Sequence, residues 1–133
     1  MASIFTKIIN GEIPSHKIAE NDKFFAFLDI MPLATGHTLV VPKMEIDYLF
    51  DLPDDLLGEM HVFAKPIAKA MQKAIPCKRI GTTVIGLEVP HAHLHLIPIN
   101  GVADINFERP KMNVSQEELK ITAHKIRDAY QQH

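Results

Sequence analysis

The chain has 133 residues, 47% of them hydrophobic and 23% charged, which suits one domain around one core. Its net charge is −2 and its pI about 6.4, so no basic excess points to nucleic acid or to an acidic membrane surface. The single cysteine, Cys77, rules out an intrachain disulfide and fits a reducing cytoplasmic setting, the N-terminus lacks the apolar core of a signal peptide, and no apolar run reaches the length of a bilayer span.

Taken in chain order, Ile4 to Asn10 is short and apolar-periodic, and Gly11 ends it, which predicts a brief helix. Glu12-Ile13-Pro14 reads as a turn. His16 to Glu20 reads as a strand, and Asn21-Asp22 as a hairpin turn into a second strand, Phe24 to Asp29. Pro32 to Gly36 is a loop. His37 to Val41 is strongly β-prone and stops at Pro42.

A long helix follows, with Pro53 in its first turn and Asp54 and Asp55 beside the positive helix end. Leu56, Leu57, Met60, Phe63, Ala64, Ile67, Ala68 and Met71 recur at three- and four-residue steps and make one apolar face. Pro66 lies inside this pattern and is expected to kink the helix or split it, because it deletes a backbone hydrogen bond. Pro76 closes the element. Arg79 to Ile85 and Ala92 to Ile99 read as two further strands, joined through Gly86 to Pro90, and Asn100 to Met112 as irregular.

Ser115 and Glu118 form a capping-box pattern that opens a last helix to about Gln131, with Leu119, Ile121, Thr122, Ile126 and Tyr130 on its apolar face. Strands cluster rather than alternate with helices. The expected class is therefore α+β, with an antiparallel sheet of about five strands, one long helix, a short N-terminal helix and an added C-terminal helix. No repeat or composition shift marks a second domain, so residues 1–133 read as one, with a core over 3–99 and an extension over 100–133.

The segment His91-Ala92-His93-Leu94-His95-Leu96-Ile97 carries the chemistry. Side chains on a strand alternate faces, so His91, His93 and His95 share one face, roughly 7 Å apart at about 3.3 Å of rise per residue. Ala92, Leu94 and Leu96 share the other and can pack against a helix. Two readings fit three imidazoles so placed. They can bind a transition metal such as zinc with an open position, although neighbours on one strand rarely converge on one ion. Alternatively the middle imidazole attacks phosphorus, since neutral imidazole is nucleophilic near pH 7. Its neighbours then hold phosphate oxygens or supply a proton, and the turn Gly86 to Val89 offers backbone N–H groups. The second reading uses both the histidines and the glycine turn.

His91 to Ile97 resembles the signature of the histidine triad (HIT) family, three histidines alternating with apolar residues. The resemblance extends over about residues 3–99 through Ile4-Phe5-Thr6-Lys7-Ile8-Ile9, Glu12-Ile13-Pro14, Phe27-Leu28-Asp29-Ile30 and Gly36 to Lys43. It is similar to the small Hint-like branch and its bacterial members. The resemblance implies a HIT-like fold and His93 as a nucleophile that forms a nucleotidyl-histidine intermediate. It implies that His91 and His95 orient the nucleophile and contact phosphate, and that His37 supports them. It further implies that Asp29 holds the ribose hydroxyls and that Phe5, Ile8, Ile13, Phe27 and Ile30 form the pocket for a purine base. Gly86, Glu88 and Val89 fall in the turn expected at the phosphate. Such proteins are homodimers that release a nucleoside monophosphate from phosphoramidates, dinucleoside polyphosphates or related esters, and no cofactor is implied.

The chain departs from the family pattern in three places. Gly81 to Pro90 contains no asparagine, and Leu87 takes the place of a glutamine. Ser3 and Thr6 stand where some bacterial members carry a zinc-binding Cys-x-x-Cys, and Glu45 stands for the accompanying histidine, so no structural zinc is expected. Residues 100–133 match no part of the family core. The readings carried forward are a metal-independent nucleotide hydrolase or transferase, a nucleotide-binding module with little turnover, and a metal site on the histidine strand.

Overall fold

Three central strands are buried almost throughout, and their alternating side chains sort the hydrophobic residues into two cores, one on each face of a sheet. In the computed structural model, which describes residues 2–131, that sheet is antiparallel and five-stranded. Its strands are β1 (Lys17–Glu20), β2 (Phe24–Leu28), β3 (Thr38–Pro42), β4 (Arg79–Thr83) and β5 (Leu94–Ile99), ordered β1-β2-β3-β5-β4. The helices are α1 (Ile4–Ile9), α2 (Asp54–Ala74) and α3 (Gln116–Gln131), and Leu49–Asp51 and Val102–Asp104 each form a single 3-10 turn. The expected α+β class holds.

Phe24, Ala26 and Leu28 of β2, Val40 of β3, and Leu94 and Leu96 of β5 point to one face. There they meet Met60, Phe63, Ile67 and Met71 of α2 and Leu119, Ala123 and Ile126 of α3. α3 packs on α2, and also reaches β1. The intervening residues, Phe25, Phe27, Leu39 and Val41, form the opposite core, closed by Phe5 and Ile8 of α1. β3 and β5 are in register at Leu39 and His95, so His95 emerges on this second face.

Several boundaries differ from the sequence reading. Pro66 neither splits nor ends α2, which runs unbroken over 21 residues. The carbonyl it orphans belongs to Val62, which is exposed and can bond water. Pro53 sits one residue outside α2, with an extended ψ of 146°. Ala70 takes a place in the buried face of α2. In α3 Ala123 is buried and Ile121 exposed, which shifts that face by one position. Ser115 Oγ accepts the Glu118 N–H, as the capping pattern requires.

β4 stops at Thr83 rather than Ile85, and β5 starts at Leu94 rather than Ala92. The cause lies in residues 91–93. The Ala92 N–H donates to Ile46 O at 2.7 Å, and the His91 ring bonds Pro42 O, so this stretch docks on the segment after β3 instead of extending the β4 ladder. Only His95 of the three histidines lies in a strand, yet the alternation persists, because Ala92 joins Leu94 and Leu96 in the helix-side core.

Candidate active site

His91, His93 and His95 are all buried, and each is fixed by a different part of the chain. The Nε2–H of His91 donates to Pro42 O at 2.7 Å, so its Nδ1 accepts from Ser3 Oγ–H, also at 2.7 Å. Ser3 Oγ in turn accepts the Thr6 N–H at 3.1 Å and caps α1. Glu45 Oε1 accepts from the Ser3 N–H and from Thr6 Oγ1–H. Ser3, Thr6, Glu45 and His91 thus form one hydrogen-bonded knot linking α1, the segment after β3 and the triad.

The Nδ1–H of His93 donates to the backbone carbonyl of its neighbour His91 at 2.8 Å. A carbonyl can only accept, so the proton stays on Nδ1 and Nε2 keeps a free lone pair. Burial, the largest effect, holds the His93 pKa below the ordinary imidazole value, so the ring is neutral at pH 7. The Phe5 ring meets it edge-on, with centroids 4.9 Å apart. The His93 and His95 rings are also 4.9 Å apart, closer than the strand rise alone would set them.

His95 is set by His37. The Leu33 N–H donates to His37 Nδ1 at 3.0 Å, which leaves the His37 proton on Nε2. That Nε2–H donates to His95 Nδ1 at 2.9 Å, and the remaining proton of His95 is therefore on Nε2. Burial pushes His37 down to about 4, helped by the charge of Lys111, and His95 to about 3, helped by His37, then His93 and Lys111. The site therefore presents an unprotonated nitrogen on His93 next to a neutral donor on His95.

Two clefts meet here. Phe5, Ile8, Ile13, Phe27, Asp29 and Ile30, the six residues expected around a base and its ribose, line one apolar cleft of about 140 Å³. His93 and His95 line a second, of about 230 Å³, together with Gly86 and Glu88. Asp29 lines both clefts and forms their shared wall. One of its oxygens accepts the Met31 N–H at 2.9 Å, and the other lies 3.7 Å from His37 Nε2. Burial raises its pKa. Val89 lines neither cleft and instead packs on the core around Phe5 and Phe27.

The turn before the triad bends at Gly86, whose φ of +77° suits a residue without a side chain. Among the described residues, no hydrogen bond engages the N–H groups of residues 86–89. Leu87, at the mouth of the second cleft, is exposed, and its side chain offers no polar atom there.

A metal on all three triad histidines does not fit this geometry, because both nitrogens of His91 are engaged within the protein. Among the described residues, the donors that converge are those of Asp29, His37 and His95, within 4.8 Å of one another. Metal binding there needs the proton between His37 and His95 to be displaced.

Four groups at the site had no sequence signal of their own. The Pro42 carbonyl and the Leu33 N–H are backbone groups brought in by the fold. Phe107 and Lys111 come from the stretch read as irregular, and they line the second cleft.

A two-core α+β sheet with a buried histidine cluster between α1 and β5 is the architecture of a histidine triad protein. The HIT domain model matches residues 10–101, and the chain belongs to that family. It is 44% identical over 98 residues to the adenosine 5′-monophosphoramidase HNT1 of Saccharomyces cerevisiae, a match covering 73% of this chain and 62% of the yeast protein. Thus the matched part spans less than two thirds of that relative's length. A HIT-like protein from Bartonella henselae has a similar crystal structure, with a TM-score of 0.82, 36% identity, and 96% of this chain and 95% of that one covered. A Zn-bound histidine triad family protein from Mycobacterium smegmatis also superposes with a TM-score of 0.82, at 27% identity, covering 99% and 95% of the two chains.

Proposed function

We propose that the chain is a nucleotide hydrolase or transferase that acts on nucleoside 5′-phosphoramidates or dinucleoside polyphosphates through a nucleotidyl-histidine intermediate on His93. The observation that carries the reading is the hydrogen bond from His93 Nδ1–H to His91 O, which leaves Nε2 unprotonated and free to attack. The base lies in the apolar cleft of Phe5, Ile8, Ile13, Phe27 and Ile30, and the ribose hydroxyls bond Asp29 at the junction. The phosphate then falls in the second cleft, within reach of His93 and His95.

Nε2 of His93 bonds to phosphorus, and the phosphorus–nitrogen or phosphorus–oxygen bond to the leaving group breaks. His95 Nε2–H and the free N–H groups of residues 86–89 stabilise charge on the phosphoryl oxygens. The leaving atom takes up a proton from solvent water, since His93 attacks through an unprotonated nitrogen and releases none. Water then cleaves the phosphorus–nitrogen bond to His93, and nucleoside monophosphate departs. His91 acts through its carbonyl, and His37 by orienting His95. The phosphoramidase activity of the yeast relative supports this substrate class.

The working form is a homodimer in the cytoplasm that needs neither nucleic acid nor a cofactor. β4 supports the dimer, since among the described residues it pairs with β5 alone and its other edge can meet a symmetry mate. The lone Cys77 supports the reducing compartment.

The test is to incubate the protein with adenosine 5′-phosphoramidate and search by mass spectrometry for an adenylyl adduct on His93. His93→Ala should lose adduct and turnover yet still bind AMP. Turnover by His93→Ala would remove the nucleophile from the proposal. A second reading, a binding module with little turnover, is favoured by the exposed hydrocarbon of Leu87 where a polar side chain is expected. AMP binding with neither adduct nor turnover in the unmodified protein would establish it.

A further inference from the structure

Most of the residues between β5 and α3 lie beyond residue 101, where the family model's match ends, yet they reach the histidine site. The Phe107 ring stands 4.7 Å from that of His95, nearly edge to face, and 6.3 Å from that of His37. The Nζ of Lys111 lies 5.7 Å from the centroid of Phe107, within cation–π range. Phe107, Glu108 and Lys111 line the same cleft as His93 and His95.

This segment is anchored along its length. Asp104 Oδ2 accepts the N–H groups of Asn100 and Gly101, at 2.7 and 3.0 Å. The Met112 N–H donates to Pro32 O at 2.8 Å, which ties the segment to the loop before β3. Ile105 occupies the space that a side chain on Gly81 would take, so β4 has a glycine where the segment crosses it.

We propose that Lys111 is a substrate-binding residue whose ammonium group holds the non-bridging phosphoryl oxygens of a nucleotide, seated for that purpose on Phe107. The inference rests on the nucleotide reading above and extends its phosphate site beyond the triad.

Charge balance in the cleft carries the argument. Its lining includes three carboxylates, Asp29, Glu88 and Glu108, and Lys111 is the one lysine or arginine among them. The histidines add no compensating charge, because burial keeps His93 and His95 neutral. A phosphate entering such a cleft needs a cation, and the turn that leads to the triad supplies none. Lys111 is also unspent, since among the described residues none of the ion pairs includes it. Its field reaches the reacting groups, stabilising the Asp29 carboxylate and disfavouring the charged forms of His37 and His95.

The experiment compares AMP with adenosine, by calorimetry, on the unmodified chain, Lys111→Gln and Lys111→Arg. The expected result is an AMP Kd raised about tenfold in Lys111→Gln, as for loss of one charge-assisted contact at a half-exposed site. Adenosine affinity should stay unchanged, and Lys111→Arg should keep most of the AMP affinity. The salt dependence of AMP binding should weaken in Lys111→Gln. Equal AMP affinity in Lys111→Gln and the unmodified chain overturns the proposal. So does a parallel loss of adenosine binding, which marks a structural role, and so does absence of AMP binding by the unmodified chain. Lys111-dependent AMP binding without any adduct on His93 leaves this assignment standing while the hydrolase reading falls.

Discussion

Ser3 Oγ lies 2.7 Å from His91 Nδ1, so the N-cap of the first helix holds the residue whose carbonyl orders His93. One hydroxyl serves both ends, capping α1 through the Thr6 N–H and satisfying a buried imidazole. Ser3→Ala removes both contacts and leaves His91 Nδ1 only the distant Thr6 hydroxyl, 3.5 Å away and already donating to Glu45. The expected cost is about 1–3 kcal/mol of folding free energy, from a poorly partnered buried acceptor together with a lost cap. Urea denaturation measures it. Ser3→Thr keeps the hydroxyl and should recover most of the loss, while a Ser3→Ala protein as stable as its parent would show that water replaces the hydroxyl.

His37 is the donor that fixes the tautomer of His95. In His37→Phe the His95 ring loses that donor and can present either nitrogen to the cleft. We expect kcat on a phosphoramidate to fall by up to about a hundredfold, the scale of a misplaced catalytic group, while adenosine affinity holds. Steady-state kinetics separate the two. A loss confined to KM would mean that His37 serves ground-state binding instead.

Gly81 has no room for a side chain. A Cβ there would collide with Ile105 and come within 2.9 Å of Ile99 Cδ1. Gly81→Val should therefore lift residues 101–113 off β4 and cost about 1–3 kcal/mol, the usual penalty of overpacking. Faster proteolysis at residues 101–113, with the His93 environment retained, is the expected signature. Unchanged proteolysis would show that Ile105 simply swings aside.

The alternation of three histidines with Ala92, Leu94 and Leu96 was readable because a period of two depends only on neighbouring residues. It survived even where residues 91–93 leave the ladder, since both of their faces are still buried. The partners that give each imidazole its tautomer were not readable. Ser3 lies 88 positions from His91, and Pro42 lies 49 from it. Ser3, Thr6 and Glu45 drew notice only as departures from a cysteine–histidine pattern, and their mutual hydrogen bonds follow from tertiary approach. Pro66 misled because the cost of its missing N–H depends on whether Val62 faces water, which no local pattern reports. Phe107 and Lys111 sit in a stretch with no periodicity to place them.

The buried imidazoles also set how stability responds to acid. His37 and His95 have folded-state pKa values pushed down to about 4 and about 3, chiefly by burial. In the unfolded chain they titrate near 6.5. Between those limits the unfolded state binds more protons, so stability rises with pH through that window and levels off above about 6.5. Each imidazole can contribute a slope of up to about 1.4 kcal/mol per pH unit. Asp29 works in the opposite sense, because its raised pKa makes the folded state bind the extra proton just above the ordinary carboxylate value. Asp29 therefore offsets part of the acid loss near pH 4, while Glu20, Glu45 and Asp104, whose pKa values are lowered by hydrogen bonds, add to it. Urea denaturation at pH 5, 6, 7 and 8 should show equal stability at 7 and 8 and a clear loss from 6 to 5. His37→Phe should lose part of that slope, since one titrating group is gone. A stability curve flat from pH 8 to pH 5 would mean that these imidazoles titrate alike in the folded and unfolded chain.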